Sequence, residues 1–361
     1  MTLPGLLAER ICSSQAIDGS FPSTIISKQR ASTDHNACIT GLVVRALGYE
    51  RLPPELHRAR ERALDFLETC ERSALPGAFG FWPERSQPGR PGDADDTAIA
   101  AVELFRHGRR SLDWLKHVAL RILIPFRVRP SDEVRPPWIQ AGAFLTWLRP
   151  SPANVVDTLV NANVAALFAL AGLRHVPAYS SAARTVESAM EWSAGSFQKA
   201  RLIAPYYAHP GEFYRTLEHA VGCGAIELWP SLKLIDRWFG SDEQPEENRP
   251  VCCAPYGKTI WTAPLLQLTR KITTSKLQHY GRQQKTKQRG SQEIAQENDK
   301  EECCPAGGEE EIREAGREIR EEGITKSPAT RSSVGLTASA VCRNQSLPSG
   351  GWSQQSEGMR K

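Results

Sequence analysis

The segment Gly92-Asp93-Ala94-Asp95-Asp96-Thr97-Ala98 places three carboxyl groups within four positions, at the start of an apolar helical pattern. Like charges this close cannot all ionise cheaply, and a site that excludes water raises the pKa of a carboxylic acid further. The cluster therefore predicts a site that shares a proton, if the surrounding protein is dry. A simpler interpretation is helix capping, with Asp93 as the N-cap and Asp96 three residues later imitating a capping box.

The residues that follow the cluster predict a helix with one buried face. Ala98, Ala101, Val102 and Phe105 recur at i, i+3, i+4 and i+7, which is the spacing of an apolar helical stripe. The same spacing continues through most of the chain, and strand-like alternation is scarce. We predict helices over residues 3–14, 35–48, 55–72, 95–107, 111–123, 138–148, 154–172, 178–193, 211–224 and 226–239.

The predicted helices are joined by short Gly- and Pro-rich connections, which favour antiparallel hairpins. Repeated hairpins stack as an open solenoid or as a closed ring of inner and outer helices. The alternation of apolar segments such as 155–173 with charged ones such as 55–72 favours two rings. The sequence therefore predicts an all-α fold, an α/α toroid of stacked antiparallel helical hairpins.

Three segments carry a resemblance to a known family. Asp93-Ala94-Asp95-Asp96-Thr97-Ala98 resembles the Asp-x-Asp-Asp-Thr-Ala motif of class II terpene cyclases, the squalene-hopene and diterpene cyclase superfamily of α/α toroids. Gln15-Ala16-Ile17-Asp18-Gly19-Ser20-Phe21 resembles the Gln-x-x-x-Gly-x-Trp repeat that links helices in these toroids, with Phe21 replacing the tryptophan. A second Gly-aromatic turn lies at Gly77-Ala78-Phe79-Gly80-Phe81-Trp82. The resemblance covers about residues 1–265.

The resemblance implies proton-initiated cyclisation of a linear isoprenoid, such as a prenyl diphosphate or a squalene-like polyene. Asp95 corresponds to the proton donor of the motif, and Asp93 and Asp96 would tune its proton affinity. Protonation requires no cofactor, whereas a diphosphate substrate would require basic residues outside the dry region, where Mg²⁺ could also bind the diphosphate. Ionisation-initiated synthesis is disfavoured, because Ile99 occupies the position where an Asp-Asp-x-x-Asp motif needs an acid.

Asp157 and Asn161 lie on one face of an otherwise apolar helical segment. They are candidate substrate-binding residues that, with Asn163, line the cavity and orient an acid or a substrate head group; or else Asp157 starts the helix and the side chains of Asn161 and Asn163 bond neighbouring loops. Tyr206 and Tyr207 join two predicted helices, and their rings either flank the cavity and stabilise positive charge or pack a loop. His35 either bonds the acid cluster or belongs to a cap with its neighbours.

The length of the helical region departs from the family, whose cyclases enclose the active site between two helical domains. About 265 residues make one toroid, so the active site would need its own central cavity or a second chain that completes it. Two alternatives remain open: a non-catalytic toroid that binds an isoprenoid or a protein partner, and a degenerate cyclase fragment. An (α/α) barrel acting on sugars would require an opposing carboxylate about 5–10 Å away.

Composition and charge narrow the function classes. A net charge of +4, without a basic stripe interleaved with aromatic residues, disfavours nucleic-acid binding. The nine cysteines include two adjacent pairs and no zinc-site spacing, which favours a reduced, cytoplasmic protein without structural zinc. No segment reaches the roughly 20 apolar residues of a membrane span, and peripheral membrane association stays open.

The character of the sequence changes near residue 268. All 11 phenylalanines occur by Phe239, and Trp352 is the one aromatic residue after Tyr280. A segment with so little to bury cannot offset the entropy of ordering it. We predict a toroid domain at 1–268 and a disordered, low-complexity tail at 269–361 with one solvated helix near 309–322. The tail is alternatively a partner-binding segment or a mistranslated extension.

Overall fold

The computed structural model describes residues 3–27, 30–48, 52–129, 135–151, 154–207, 209–239, 249–254 and 259–270. The α-helices in these residues are α1 (Leu3–Ser14), α2 (Ala37–Leu47), α3 (Pro54–Glu68), α4 (Ala94–Arg106), α5 (Leu112–His117), α6 (Thr158–Leu170), α7 (Pro177–Ser193), α8 (Phe197–Ile203), α9 (Pro210–Gly222), α10 (Trp229–Phe239) and α11 (264–270). A π-helical segment, Val118–Leu123, continues α5. The strands are β1 (Ser23–Ser27), β2 (Arg30–Asp34), β3 (Pro250–Cys253) and β4 (Thr259–Thr262).

The predominantly helical class is confirmed, but the four strands form an antiparallel sheet in the order β2-β1-β4-β3, which corrects the all-α prediction. β1 pairs with β2 from Ser23↔Asp34 to Ser27↔Arg30, and on its other edge β1 pairs with β4. These strands are four or five residues long, which is too short for their sequences to show the alternation that marks a half-buried strand. The closed toroid stays a prediction.

Asp34, the last residue of β2, ties the sheet to the helices. Its carboxylate accepts hydrogen bonds from Trp82 Nε1 (2.8 Å), Trp261 Nε1 (3.0 Å) and Asn36 Nδ2 (2.7 Å). Asn36 is in turn the N-cap of α2, because its Oδ1 accepts from the Ile39 amide at 2.8 Å. Three indole and amide donors thus fix the sheet against the start of α2.

The helix α4 lies between α2 and α6, and α6 also packs against α7 and α9. Gly41 on α2 permits the close packing of α2 against α4, since a Cβ there would lie 2.5 Å from Ile99 Cγ2 on α4. α6 is buried from Thr158 to Phe168 because its sequence is apolar on every face, as expected for a central helix. The N-terminal end of α4 is therefore held by packing on two sides.

The predicted helix over 138–148 is wrong. Residues 135–151 form turns and isolated bridges, including Arg127↔Phe144 and Asp93↔Trp147. Pro136 and Pro137 precede the segment, and Gly142 has φ +87°, so the backbone leaves the helical region there. The apolar residues that imitate helical spacing are instead buried one by one along an extended chain.

Other boundaries shifted by a few residues. The helix predicted over 154–172 begins at Thr158, the one predicted over 55–72 ends at Glu68, and α8 was not predicted. The helix predicted near 309–322 and nearly all of the proposed tail lie outside the described residues. No helix in the described part of the chain is long and apolar enough to cross a membrane. The six cysteines in that part of the chain are free.

Candidate functional site

Asp93 and Asp96 form a buried pair at the start of α4. Asp93 is the N-cap, and its Oδ1 accepts the Asp96 amide at 2.8 Å. Burial raises the pKa of Asp93 to about 6. Burial, and then the neighbouring charge of Asp93, raise the pKa of Asp96 well above its ordinary range. The hydrogen bond between their side chains raises the pKa of Asp96 and lowers that of Asp93, so the shared proton resides on Asp96.

Asp95 is half-buried, whereas Asp93 and Asp96 are buried. One helical step turns its side chain away from the pair, and each of its oxygens accepts a hydrogen bond: Oδ2 from Tyr207 Oη at 2.6 Å and Oδ1 from Asn163 Nδ2 at 2.8 Å. Burial raises the pKa of Asp95, and these two bonds oppose the rise. Asp95 is therefore an accessible acid. Burial favours its protonated form, and the two hydrogen bonds stabilise its carboxylate form.

Asn163 is itself held by a buried ionic network. Arg45 Nη1 on α2 donates to Asn163 Oδ1 at 3.2 Å, and Arg45 Nε donates to Glu103 Oε1 at 3.2 Å. Glu103 is fully buried on α4, and His219 Nε2 lies 3.4 Å from its Oε1. Buried charges persist in proteins when they are paired, so this network links α2, α4, α6 and α9 beside the acid.

The motif residue Thr97 fixes α4 to the Gly-aromatic turn. Its Oγ1 accepts the Phe79 amide at 2.9 Å and donates to the Phe79 carbonyl at 3.3 Å. Gly92 lies against the same turn, where a Cβ would come within 2.8 Å of the Phe79 carbonyl oxygen. The two segments that the sequence singled out around residues 77–82 and 92–98 are therefore direct neighbours.

Asp157 and Asn161, both predicted to bind substrate, serve the backbone. Asp157 is the N-cap of α6; its Oδ1 accepts the Leu159 and Val160 amides, at 2.7 and 3.3 Å, and its Oδ2 accepts the Tyr206 amide at 3.1 Å. Burial raises its pKa to about 7. Asn161 bonds both the amide and the carbonyl of Phe144, at 2.9 and 3.0 Å. These contacts are those of the capping and loop-bonding interpretation.

The adjacent tyrosines differ in their surroundings. Tyr207 is buried and contacts the acid, while Tyr206 is half-buried and accepts a hydrogen bond from Trp147 Nε1 at 2.9 Å. The rings of Tyr206 and Trp147 meet edge to face with centroids 6.2 Å apart. His35 makes its hydrogen bond to Ser20 Oγ, at 2.6 Å, rather than to the aspartates. Tyr207 therefore contacts the aspartate cluster, whereas His35 contacts Ser20.

Two thiols lie on the sheet side of the cluster. The pKa of Cys38 on α2 is raised by its hydrogen bond with Cys252 on β3 and by burial, with smaller contributions from Asp95 and Asp93. Cys252 also bridges to Tyr207 through the backbone. The raised pKa values of Cys38 and Cys252 keep both thiols neutral beside the aspartates.

Arg45 and Glu103 were absent from the predicted site, whereas Asn163 was considered as a cavity-lining residue beside Asp157 and Asn161. A signal for each does exist, since Arg45 is the one charged residue in ACITGLVVRAL, and Glu103 and Asn163 interrupt apolar stretches of α4 and α6. No group of three or more His, Cys, Asp or Glu side chains in the described residues is arranged to hold a metal ion. The predicted Mg²⁺ dependence stays conditional on a diphosphate substrate.

No known family profile matches the chain, and no curated protein sequence matches it. Solved structures with some similarity include type II terpene cyclases and a glycoside hydrolase. The cyclase MstE from Scytonema, in its apo form, is 13% identical, over 74% of this chain and 95% of its own, with a TM-score of 0.38. A variant of MstE in complex with geranylgeranyl dihydroxybenzoate is 14% identical over 75% and 94%, with a TM-score of 0.39.

The hydrolase is an inactive variant of an α-1,6-mannanase from Salegentibacter in complex with α-1,6-mannotetrose. It is 10% identical to this chain, over 74% of this chain and 99% of its own, with a TM-score of 0.37. Likenesses at this level assign neither a family nor an activity to the chain. The function has to be argued from the site.

Proposed function

We propose that the described domain is a proton-initiated, class II terpene cyclase that cyclises a linear isoprenoid, either a prenyl diphosphate or a squalene-like polyene, with Asp95 as the general acid. The observation that carries the proposal is the contrast within one cluster. Asp93 and Asp96 form a buried pair in which burial raises both pKa values, whereas Asp95 is half-buried with a hydrogen-bond donor on each oxygen. Plain capping would need Asp93 and leaves the contacts of Asp95 unexplained.

The cluster supplies the groups for the protonation step of the proposed reaction. The O–H bond of Asp95 breaks, and the proton is added to the terminal alkene carbon, or to an epoxide oxygen, of the substrate. The carboxylate left on Asp95 is stabilised by Tyr207 Oη and Asn163 Nδ2, which makes Asp95 a stronger acid than burial alone would allow. The cation ends by losing a proton to solvent water, or by capturing water that then loses a proton to solvent, and the Asp95 carboxylate regains its proton from solvent.

The other predicted residues receive different roles. Asp93 and Asp96 hold the N-terminus of α4 and keep one proton between them. The half-buried Tyr206, braced by Trp147, is assigned to the cavity wall, where an aromatic face stabilises positive charge. Asp157 and Asn161 are assigned to the frame of the site, because backbone groups occupy their polar atoms. Asp157 is thereby a poor second carboxylate for sugar hydrolysis.

The test is product analysis by mass spectrometry after the full chain is incubated with farnesyl diphosphate, geranylgeranyl diphosphate, squalene and geranylgeranyl dihydroxybenzoate. We expect a cyclic product whose rate falls about 10²–10⁴-fold in Asp95→Asn, as for loss of a general acid. Asp236→Asn, a change at an exposed residue of α10, is the control and should match the unmodified chain. A product that survives Asp95→Asn, or no product from folded protein with any substrate, would reject the proposal.

A further inference from the structure

We propose that Arg45, anchored by Glu103, is a positioning residue that locks the Asn163 amide in the orientation that donates a hydrogen bond to Asp95. The catalytic consequence of this inference rests on the proposed function, but the contacts themselves do not depend on a substrate. The two residues lie on α2 and in the middle of α4, outside the aspartate motif and the neighbouring Gly-aromatic turn. Neither of those segments predicts their role.

The orientation of Asn163 follows from the chemistry of arginine. A guanidinium group donates hydrogen bonds and accepts none, so Arg45 Nη1, at 3.2 Å, must face the amide oxygen of Asn163. The amide nitrogen then points to Asp95 Oδ1 at 2.8 Å and to Tyr207 Oη at 3.3 Å. An asparagine without such a neighbour can turn its amide by 180° at little cost, which would present oxygen to the acid.

Glu103 fixes the arginine that fixes the asparagine. The side chain of Arg45 is 11% exposed and that of Glu103 is fully buried, with Arg45 Nε at 3.2 Å from Oε1. The planar guanidinium has donors that point in fixed directions, so one group serves Glu103 and Asn163 together. Glu103 and Asp95 both belong to α4. The hydrogen bonds that run from Glu103 through Arg45 and Asn163 to Asp95 therefore begin and end on the same helix.

The charges around Asp95 make the orientation matter. Asp93 and Asp96 face it from α4, Asp157 from the start of α6, Tyr207 from the loop before α9 and Cys38 from α2. All of these groups are neutral or negative, and Arg45 is the cation that opposes them. A flipped Asn163 would remove a donor from the Asp95 carboxylate and add an acceptor for its proton, so Asp95 would release the proton less readily.

The test measures the titration of Asp95 directly, by carbon NMR of the full chain labelled with ¹³C at the aspartate carboxyl carbons. The Asp95 signal is assigned by its disappearance in Asp95→Asn. In Arg45→Gln/Glu103→Gln, which removes both charges of the ion pair, we expect the Asp95 midpoint to rise by about one pH unit, a tenfold gain in proton affinity. Glu103→Gln alone keeps the cation but releases it from its anchor, so we expect a smaller rise than in the double variant. A midpoint unchanged in the folded double variant would overturn the proposal.

A double-mutant cycle separates positioning from a simple effect of charge. In an Asn163→Leu background, the Arg45→Gln/Glu103→Gln change should shift the Asp95 midpoint by less than half as much as it does in the presence of Asn163. An undiminished shift would show that Arg45 acts on Asp95 without Asn163, and would overturn the inference.

A conservative variant covers the case in which the double variant does not fold. Arg45→Lys keeps the charge, but its single ammonium group cannot reproduce the planar fork that serves both partners. We expect it to raise the midpoint as well, and an unchanged midpoint would count against positioning. Because the readout needs no substrate, absence of any cyclised product would reject the proposed function and leave the Arg45 result interpretable.

Discussion

The carboxyl group of Asp96 is buried beside that of Asp93, and its Oδ1 makes no hydrogen bond to the described atoms. Its pKa in the folded protein is well above its ordinary range, while the unfolded chain has a value of about 3.9. The folded state therefore holds this proton more tightly than the unfolded state does. The contribution of Asp96 to stability is therefore fully present below about pH 4 and is lost as pH rises toward the raised pKa, by about 1.4 kcal/mol per pH unit.

Replacing Asp96 by Asn removes this proton dependence while keeping the shape of the neutral acid. We expect the stability of Asp96→Asn relative to the unmodified chain to increase between pH 4.5 and pH 8, measured as the urea midpoint at each pH. Asp236→Asn, at an exposed position, should show no such trend. If the urea midpoint of Asp96→Asn instead fell relative to that of the unmodified chain as pH rises, Asp96 would be ionised in the folded protein.

The sequence pattern predicts the aspartates, but it does not predict that Arg45, Glu103 and Asn163 are connected to them. A helix start and its cap are local, so Asp93, Asp95 and Asp96 can be interpreted within one turn. Arg45 and Asn163 are 118 residues apart, and Asn163 and Asp95 are 68 apart. No spacing rule predicts such a contact, because it arises when α2, α4 and α6 pack.

At the scale of elements, the turn at residues 15–21, which follows α1, is hydrogen-bonded to α3. Gln15 Nε2 donates to the Gly19 carbonyl and to the Ala59 carbonyl on α3, both at 2.7 Å. Gly19 has φ +89°, and a Cβ there would lie 2.2 Å from the Arg62 carbonyl oxygen. The linking role expected of this repeat-like segment is therefore visible in its hydrogen bonds.

Gly19→Ala should be strongly destabilising, since it adds both an unfavourable backbone conformation and a clash with backbone atoms. Gly172→Ala is the matched control, because Gly172 has a similar φ of +73° with nothing within 4 Å of its Cβ position. We expect a loss of about 1 kcal/mol for Gly172→Ala and at least about 3 kcal/mol for Gly19→Ala, from urea denaturation. Equal losses would mean that α3 moves away freely.

Elements were predicted well where burial is periodic and poorly where it is not. α2, α4 and α7 follow the 3.6-residue stripe, so their existence and approximate bounds were available. The segment 138–148 has the same composition, but its amide and carbonyl groups bond to other loops: Val128 N to Ala143 O at 2.8 Å and Ala94 N to Thr146 O at 2.7 Å. Hydrogen-bond partners outside the segment decide its structure, and a sequence pattern does not contain them.

At the scale of the whole molecule, the residues after α10 complete the fold that begins at β1. β4 supplies the second edge of β1 and carries Trp261, and Arg270 on α11 forms an ion pair with the buried Glu212 at 2.6 and 2.8 Å. We expect a chain ending at residue 270 to keep the thermal transition of the full chain. A chain ending at residue 248 should lose it, or melt at least about 10 °C lower.

Circular dichroism melting of the two truncated chains provides the measurement, and the full chain is the reference. Arg270→Gln in the full chain is a milder comparison, since it leaves the buried Glu212 without this partner and should cost a few kcal/mol. If the chain ending at residue 248 melted within a few degrees of the full chain, strands β3 and β4 would contribute little to stability.

The pairing of Thr24 with Thr262 also sets an order of events during synthesis. At about 5–20 residues per second, a ribosome needs roughly 10–50 s to make the residues between these two strands. Throughout that interval one edge of the β1–β2 hairpin exposes amide and carbonyl groups that a neighbouring nascent chain can pair with. The protein therefore depends on its last described segment to close a vulnerable edge, and cellular conditions that slow its translation lengthen the period of exposure.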